Sequence, residues 1–218
     1  MAEKTFVKDM WDTIRQGDLN RVVALIEADR ERLHMTTVFG TWLQFAASHG
    51  KLEIVKYLVS QGLDVNARSE SGSSGYTTPI NAAASKGHLE VVRYLLSCGA
   101  ILDVSRGGQE NPLFGAALKG YAEVAKLLIE SGIDVKIKYN TKTMKNMDAL
   151  ALAYESGQAE AVKVLRPYSL GEPVFWSRTC YYAPVVDDCY VFQGWKIFDL
   201  QGNRLGIYDS NAKTRIKD

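Results

Sequence analysis

Apolar residues recur at helical spacing in segments 42–66 and 79–103, which share one plan. In the second half of each segment, leucine, isoleucine and valine stand three or four positions apart, which places them on one face of a helix. The residues predicted to form this buried face are Leu52, Val55, Leu58 and Val59, with Leu89, Val92, Leu95 and Leu96 in the second segment. The pattern therefore predicts short amphipathic helices that need neighbours to cover them.

Glycines divide the chain at a regular period. Five of them each end one short helical pattern and precede another, namely Gly17, Gly50, Gly87, Gly120 and Gly157. Their spacings are 33, 37, 33 and 37 residues. Twelve residues after the first four lie Asp29, Gly62, Gly99 and Gly132. Glycine suits the end of a helix because the chain commonly turns there through a left-handed conformation, so the spacing predicts repeated pairs of helices.

Small residues support close packing of these helix pairs. The first helix of a pair carries two adjacent alanines, as in Ala46-Ala47, Ala83-Ala84 and Ala116-Ala117. Residues 112–135 repeat the plan of the two earlier segments, with Pro112, Gly120, Val124 and Gly132 in register. A single pair cannot bury its apolar face alone, whereas several stacked pairs form a continuous core.

This plan resembles the ankyrin repeat family, whose repeat is a turn plus two helices with a period of 33 residues. The resemblance covers about residues 5–167 as five repeats. The first repeat, 7–29, and the fifth, which breaks at Pro167, deviate in the way that end repeats do. In the first, the residues expected to turn inward are Trp11, Ile14, Val22, Leu25 and Ile26. The resemblance implies a mostly α fold, an ankyrin-repeat solenoid that binds proteins.

Residues 168–218 have a different character. They hold ten of the 22 aromatic residues of the chain, broken by Gly, Pro and Asp, which is typical of strands. We therefore expect a small C-terminal antiparallel β element of three or four strands, including 174–182 and 189–193. This element is expected to cap the fifth repeat. A second contact surface for a partner is the alternative, and composition does not separate the two.

The clearest hairpin of this region spans 195–209. With Gly202-Asn203 as a two-residue turn, Leu200 faces Leu205 and Phe198 faces Ile207. The same register places Lys196 opposite Asp209 as a pair of opposite charges.

Charge and hydropathy narrow the class of protein. The chain has 26 Lys and Arg against 25 Asp and Glu, a net charge of +1, which argues against a nucleic-acid partner. Its apolar runs are shorter than a membrane span, so no membrane association is expected. The opening Met1–Phe6 shows no export signal. We expect a cytoplasmic protein, with a monomer favoured.

Residues that carry chemistry are sparse. The three cysteines, Cys98, Cys180 and Cys189, include no C-x-x-C pair, and we expect reduced thiols, although Cys180 and Cys189 could face each other across a hairpin. Histidines His34, His49 and His88 are not spaced as metal ligands. We expect no metal and no cofactor, and not an enzyme.

By the resemblance, the partner-binding surface consists of residues just before each glycine that ends a first helix, together with the fingers that connect the repeats. The candidates are Arg15, Gln16, Phe39, Trp42, Ser48, His49, Tyr76, Ser85, Lys86, Leu118, Lys119, Lys138, Lys142 and Glu155. Trp42 has an alternative role, packing between fingers. The two longer fingers, Ser69–Tyr76 and Lys136–Lys145, are either partner contacts or tolerated insertions.

The sequence is consistent with three functions. A short chain with one binding module and a small tail resembles bacterial immunity proteins, which bind and neutralise a toxin, so an inhibitor of a toxin or enzyme is the leading hypothesis. A regulatory adaptor or host-directed effector that docks onto signalling proteins is the second. An unrecognised enzymatic activity in the C-terminal tail is the third.

Overall fold

The structure is a computed structural model that describes residues 2–38, 40–68, 78–105, 107–140, 147–168, 175–176, 180–186, 192–199, 204–209 and 214–216. Two compact units divide the chain, Met1–Pro112 and Leu113–Asp218. Helix pairs build both units, and the second unit also holds a sheet. Helical repeats followed by an antiparallel β element agree with the predicted fold class.

The described part of the first unit contains three helix pairs, which we call repeats one to three. Their bounds are α1 Ala2–Gln16, α2 Leu19–Ala28, α3 Trp42–Ser48, α4 Leu52–Ser60, α5 Pro79–Ala84 and α6 Leu89–Ser97. A 3-10 helix at Arg30–His34 and a small hairpin of β1, Thr36–Thr37, and β2, Gly40–Thr41, connect repeats one and two. A second 3-10 helix, Gly108–Glu110, lies near the end of the unit.

Side-chain caps determine where the first helices begin. The Thr41 hydroxyl accepts a hydrogen bond from the Gln44 amide at 3.3 Å, and Gln44 Oε1 accepts one from the Thr41 amide at 2.7 Å. This reciprocal capping box satisfies two backbone donors that the helix itself leaves unpaired. One repeat later, Thr78 accepts from the Asn81 amide at 3.3 Å, and Pro79 occupies the first helical position. The finger therefore ends and the helix begins at the same place in both repeats.

The second helices of the repeats bury a recurring stripe of three residues. The stripes are Ile54, Val55 and Leu58; Val91, Val92 and Leu95; Val124, Ala125 and Leu128; and Ala161, Val162 and Leu165, each residue at most 2% exposed. The predicted face was wrong in part, since Leu52, Val59, Leu89 and Leu96 are only half-buried. Within the first unit, α4 packs against α3 and also against α2 and α6. The face of α4 that is buried therefore includes Ile54 in place of Leu52 and Val59.

The paired alanines behave as predicted. Ala46, Ala47, Ala83 and Ala84 are completely buried, and α3 packs against α5 across them. In the first repeat, Ile14, Val22 and Ile26 are also buried, whereas Trp11 and Leu25 keep part of their surface exposed.

The second unit holds repeats four and five and the sheet. Its helices are α7 Pro112–Lys119, which starts at the unit boundary, α8 Ala122–Glu130, α9 Ala149–Glu155 and α10 Ala159–Leu165, followed by a 3-10 turn at Arg166–Tyr168. The strands are β3 Phe175–Trp176, β4 Cys180–Val186, β5 Phe192–Asp199, β6 Arg204–Asp209 and β7 Thr214–Ile216. They pair antiparallel in chain order, and β4 contacts α9.

The described sheet has five strands, more than the three or four expected. The expected strand 174–182 contains the whole of β3 and the start of β4, which pair antiparallel with Phe175 opposite Tyr182. The expected strand 189–193 is not separate, because its described residues, Phe192 and Gln193, begin the long strand β5.

The register of the β5–β6 hairpin also differs from the prediction. Lys196 lies opposite Ile207 and Phe198 opposite Arg204, with a bulge between Ile197 and Phe198. The register at Lys196 differs from the predicted one by two positions, which removes the predicted Lys196–Asp209 pair, and Asp209 instead lies opposite Thr214. Cys180 lies opposite Asp199, and Cys189 is outside the described residues.

Candidate protein-binding surface

The glycine turn between the two helices of each repeat shapes the candidate surface. Gly50 ends α3 with φ of 67°, a conformation that is strained for a residue with a side chain. The equivalent glycines have the same sign of φ, namely Gly17, Gly87, Gly120 and Gly157. The residues on either side of these turns are therefore held at the end of the first helix, where the sequence places the partner contacts.

At three of the turns, the residue after the glycine covers the glycine of the preceding repeat. Lys51 covers Gly17, and His88 covers Gly50 so closely that a methyl group there would lie 2.5 Å from His88 Nδ1. His88 Nε2 lies 3.0 Å from the Ser48 carbonyl oxygen, which can only accept, so Nε2 carries the proton. The His88 ring thus joins repeats two and three.

The surroundings of His88 disfavour its cation. Burial lowers the pKa of the imidazole, the hydrogen bond to Ser48 opposes this shift, and the nearby His49, Lys86 and Lys51 lower the pKa further. A neutral ring is therefore the form that the folded first unit favours.

Two aromatic residues that are not among the predicted contact residues, Phe45 and Trp11, lie behind His49. Its ring packs on Phe45 at a centroid distance of 4.3 Å, and its Nδ1 lies 2.9 Å from the Phe45 carbonyl oxygen. Trp11 approaches Phe45 from α1 at 6.1 Å. The available signal was spacing, because Phe45 and His49 are four residues apart, as are Trp11 and Arg15, and such pairs share a helix face.

Most of the predicted contact residues of the first unit reach the surface. Arg15, Gln16 and Lys86 are exposed, while Ser48, His49 and Ser85 are half-buried. Arg15 lies 3.5 Å from Asp12, an exposed ion pair of little energetic weight. Phe39 and Tyr76 lie outside the described residues.

Trp42 is a correction to the predicted surface. The side chain is completely buried, its Nε1 donates to the Arg32 carbonyl oxygen at 2.9 Å, and its ring meets Phe6 edge-on at 6.1 Å. The Arg32 guanidinium in turn lies 4.4 Å from the centre of the Phe6 ring. Trp42 belongs to the core of the first unit and is not accessible to a partner.

In the second unit, the predicted contact residues include apolar, basic and acidic side chains. Leu118 is 43% exposed, and Lys119 beside it is also exposed. Neighbouring protein atoms raise the pKa of the Glu155 carboxyl by desolvation, although the residue as a whole remains exposed. Lys138 is exposed, and Lys142 lies outside the described residues.

Asp148 is a buried carboxylate that the sequence analysis did not single out. It is 7% exposed and caps α9 by accepting a hydrogen bond from the Ala151 amide at 2.8 Å. Burial raises its pKa, and the hydrogen bond from Ala151 and the charge of Lys138, 4.0 Å away, oppose the shift. Thr41 and Thr78 occupy the same position in the first unit and carry no charge.

A polar clamp holds the described parts of two fingers of the first unit together. Arg68 pairs with Asp103 at 3.3 Å and with Glu110. The Asn66 side chain donates from Nδ2 to the Gly99 carbonyl oxygen at 3.1 Å, and its Oδ1 accepts from the Ile101 backbone N–H at 2.8 Å. These contacts join residues more than 30 positions apart, and they hold Ile101 with 63% of its surface exposed.

Within the ranges the structure describes, no group of three or more His, Cys, Asp or Glu side chains is arranged to hold a metal ion. None of the helices in that same part of the chain has the length and apolar character needed to cross a membrane.

Comparison with known proteins places this architecture in a family. The family described as "Ankyrin repeats (3 copies)" matches residues 10–106 and 43–139, which together span more than half of the 218 residues. A stretch of 50 residues is 46% identical to part of the 16S rRNA endonuclease CdiA of Enterobacter cloacae subsp. cloacae, covering 23% of this chain and 2% of that protein. Because the family match and the helix pairs agree, the chain belongs to the ankyrin-repeat family, whose repeats are protein–protein interaction modules.

Proposed function

We propose that this chain is an inhibitory protein that binds an enzyme and neutralises it, as an immunity protein does with a toxin. The repeats supply the binding module. The single observation that connects this module to an enzyme is the 50-residue similarity to the 16S rRNA endonuclease CdiA. An endonuclease that acts on RNA is therefore the first class of partner to test.

The exposed ends of the first helices supply the binding surface of this proposal. Leu118 and Lys119 offer an apolar side chain next to a cation, a combination suited to a contact that is desolvated at its centre. Adjacent repeats lie about 10 Å apart, so several of them can present the roughly 800 Å² that a standard interface needs from each partner.

Capture followed by an activity assay tests the proposal. The full chain is used to isolate its partner from the native source, and the partner is identified by mass spectrometry. The purified complex is then assayed for RNA cleavage with the chain bound and after its removal. We expect activity that is lost at one equivalent of the chain and restored on its release.

Two other results would contradict the proposal that the chain inhibits its partner. A captured partner that remains fully active in the complex would indicate an adaptor. Cleavage of RNA by the isolated chain, without any partner, would indicate an enzymatic activity of its own.

Surface variants connect the binding to the proposed residues. The combined change Tyr76→Ala, Leu118→Ala and Lys119→Ala is expected to weaken partner binding at least about tenfold, as loss of interface anchors does. The melting temperature should remain nearly unchanged, because Leu118 and Lys119 are exposed. Glu123→Ala with Lys126→Ala, on the exposed face of α8, is the matched control. A large loss of stability with unchanged binding would remove these residues from the surface.

A further inference from the structure

Basic side chains cluster at the glycine turns of the first unit. Each lies within two residues of Gly17, Gly50 or Gly87, and together they are Arg15, His49, Lys51, Lys86 and His88, which we call the basic row. Arg15 and Lys86 are exposed, and the other three are half-buried. Three of the five belong to the predicted contact surface, while Lys51 and His88 do not.

Packing at the turns brings the basic row together across three repeats. Lys51 lies over Gly17, with its Nζ 3.3 Å from the position of a methyl group there, and so reaches the turn that follows α1. His88 lies over Gly50, the residue before Lys51, and next to His49 through the Ser48 carbonyl. The side chain that follows one turn therefore fills the space at the turn before it.

The neutral His88 ring lies among basic side chains. His49, Lys86 and Lys51 each lower the pKa of His88, as like charges do. Arg15 has a carboxylate partner in Asp12, but this pair is exposed and screened by water. The corresponding turns of the second unit carry Leu118, Lys119 and Glu155, with Gln158 in the place of His88. Positive charge is thus concentrated at the Gly50 and Gly87 turns and is not a property of the repeat itself, since Asp18 follows Gly17.

We propose that the basic row binds a carboxylate-rich segment of the protein partner. The inference rests on the proposed function and names the chemistry that its partner presents. Carboxylates complement the positive charges of Arg15, Lys51 and Lys86, and charge-assisted hydrogen bonds from Lys51 and Lys86 are stronger than those between neutral groups. The Phe45 ring beneath His49 holds one part of the row in place.

A polypeptide suits this surface better than a nucleic acid. The net charge of the whole chain is +1, so no extended positive field draws in a polyanion. Phe45 is 6% exposed and already packs on His49, so it offers no face on which a base can stack. The row is short, and a few carboxylates in an acidic loop or helix end match it.

Charge reversal tests the basic row with a defined probe. The full chain is titrated into a fluorescent peptide of ten glutamates, and binding is followed by anisotropy at low and at high salt. We expect Lys51→Glu with Lys86→Glu to weaken binding at least about tenfold and to remove most of its salt dependence. Lys51→Gln with Lys86→Gln should give a smaller loss of the same kind, which provides a second variant if the charge reversal impairs folding.

The matched control has the same change of net charge elsewhere in the first unit. Lys56→Glu with Arg93→Glu alters α4 and α6, where both residues pair with a glutamate three positions away, Glu53 and Glu90. Binding by this control should stay within about threefold of the parent, because its charges lie outside the basic row and distant exposed charges are screened. An equal loss in both double variants would overturn the proposal, as would tighter binding of a ten-nucleotide RNA that responds to the same substitutions.

The result also separates this inference from the proposed function. If the Lys51→Glu, Lys86→Glu variant inhibits a captured enzyme as well as the parent does, partner binding by the basic row is refuted and the proposed inhibition is retained. If glutamate peptides bind as expected while the captured partner is not inhibited, the inhibitor is refuted and the basic row stands.

Discussion

The two units use the same helix pairs with different chemistry at equivalent positions. In the first unit, a rigid imidazole, His88, covers Gly50 and bonds to the Ser48 carbonyl. In the second unit, the flexible amide of Gln158 covers Gly120. The residue that caps the first helix is neutral in Thr41 and Thr78 but is the buried carboxylate Asp148 in the fifth repeat. These repeats therefore share a covered glycine or a capped first helix and differ in the polar group that provides it.

The ends of the two units differ as well. The first unit begins with a helix pair whose own residues complete its core, including Met10 and Ile14. The last helix pair of the second unit is followed in the chain by a 3-10 turn and the sheet, and β4 contacts α9. That the sheet caps the final repeat remains our prediction. The largest difference expected between the units is thus the dependence of the second on its sheet.

Removal of residues 168–218 should have the largest effect. We expect the remaining repeats to be poorly soluble and to melt at a lower temperature, because the apolar surface of the fifth repeat loses its cover. The isolated 51-residue tail should be unfolded, since chains of that size without disulfide or metal are near the limit of independent folding. Circular dichroism melts of both fragments provide the measurement. A cooperative melt of the tail together with an unchanged melt of the repeats would show that the sheet is an independent module.

Alanine at the covered glycines compares the two side chains that cover them. Gly50→Ala should destabilise by more than about 2 kcal/mol, because the strain of a left-handed residue adds to a clash with the fixed His88 ring. Gly120→Ala should cost about 1–2 kcal/mol, mostly strain, because the end of Gln158 can move aside. Gly62→Ala and Gly132→Ala, which face open space, isolate the strain alone. Equal losses of unfolding free energy at Gly50 and Gly62 in urea titrations would mean that the His88 ring moves aside without cost.

Substitutions at the caps separate hydrogen bonding from charge. Asp148→Ala and Thr78→Ala should each destabilise by about 1 kcal/mol, because each removes the acceptor at a helix start. Asp148→Asn keeps an acceptor and removes the buried charge, so at neutral pH we expect a stability equal to or above that of the parent. Thermal melts at pH 7 compare the three variants. A loss with Asp148→Asn as large as that with Asp148→Ala would indicate that the negative charge itself stabilises α9.

The smallest expected effect is an opposite response of the units to acid. The lowered pKa of His88 means that the unfolded chain binds a proton first as the pH falls below about 6.5, so this group destabilises the first unit on acidification. The raised pKa of Asp148 means that the folded chain binds a proton first as the pH falls toward the ordinary aspartate value near 3.9, so this group favours the fold there.

Single variants of the full chain resolve the two contributions. Relative to the parent, His88→Gln should reduce the loss of melting temperature between pH 7 and pH 5, whereas Asp148→Asn should remove a gain between pH 7 and pH 4. His88→Gln also places the glutamine of the fifth repeat in the third. Shifts of the same sign in both variants would contradict the assignment of opposite roles.

Local and repeated features of this protein were predictable from its sequence. The glycine turns, the alanine pairs and the helix pairs follow from spacing, because each depends on residues within a few positions of one another and recurs in several copies. The same spacing located Arg15, Lys86, Leu118 and Lys119 at exposed helix ends. Trp42 was misplaced on the predicted surface, because a tryptophan after a finger has the same local pattern whether it faces solvent or Phe6.

Tertiary structure decided the contacts between residues that are distant in the chain. The Arg68 clamp, the cover of Gly50 by His88 and the approach of Lys51 to Gly17 each join residues more than 30 positions apart, and no local period encodes them. The register of β5 and β6, with its bulge between Ile197 and Phe198, is another feature that alternation alone does not reveal. Burial of the Asp148 carboxylate likewise follows from what surrounds it, because a capping aspartate has the same local sequence in water and in a core.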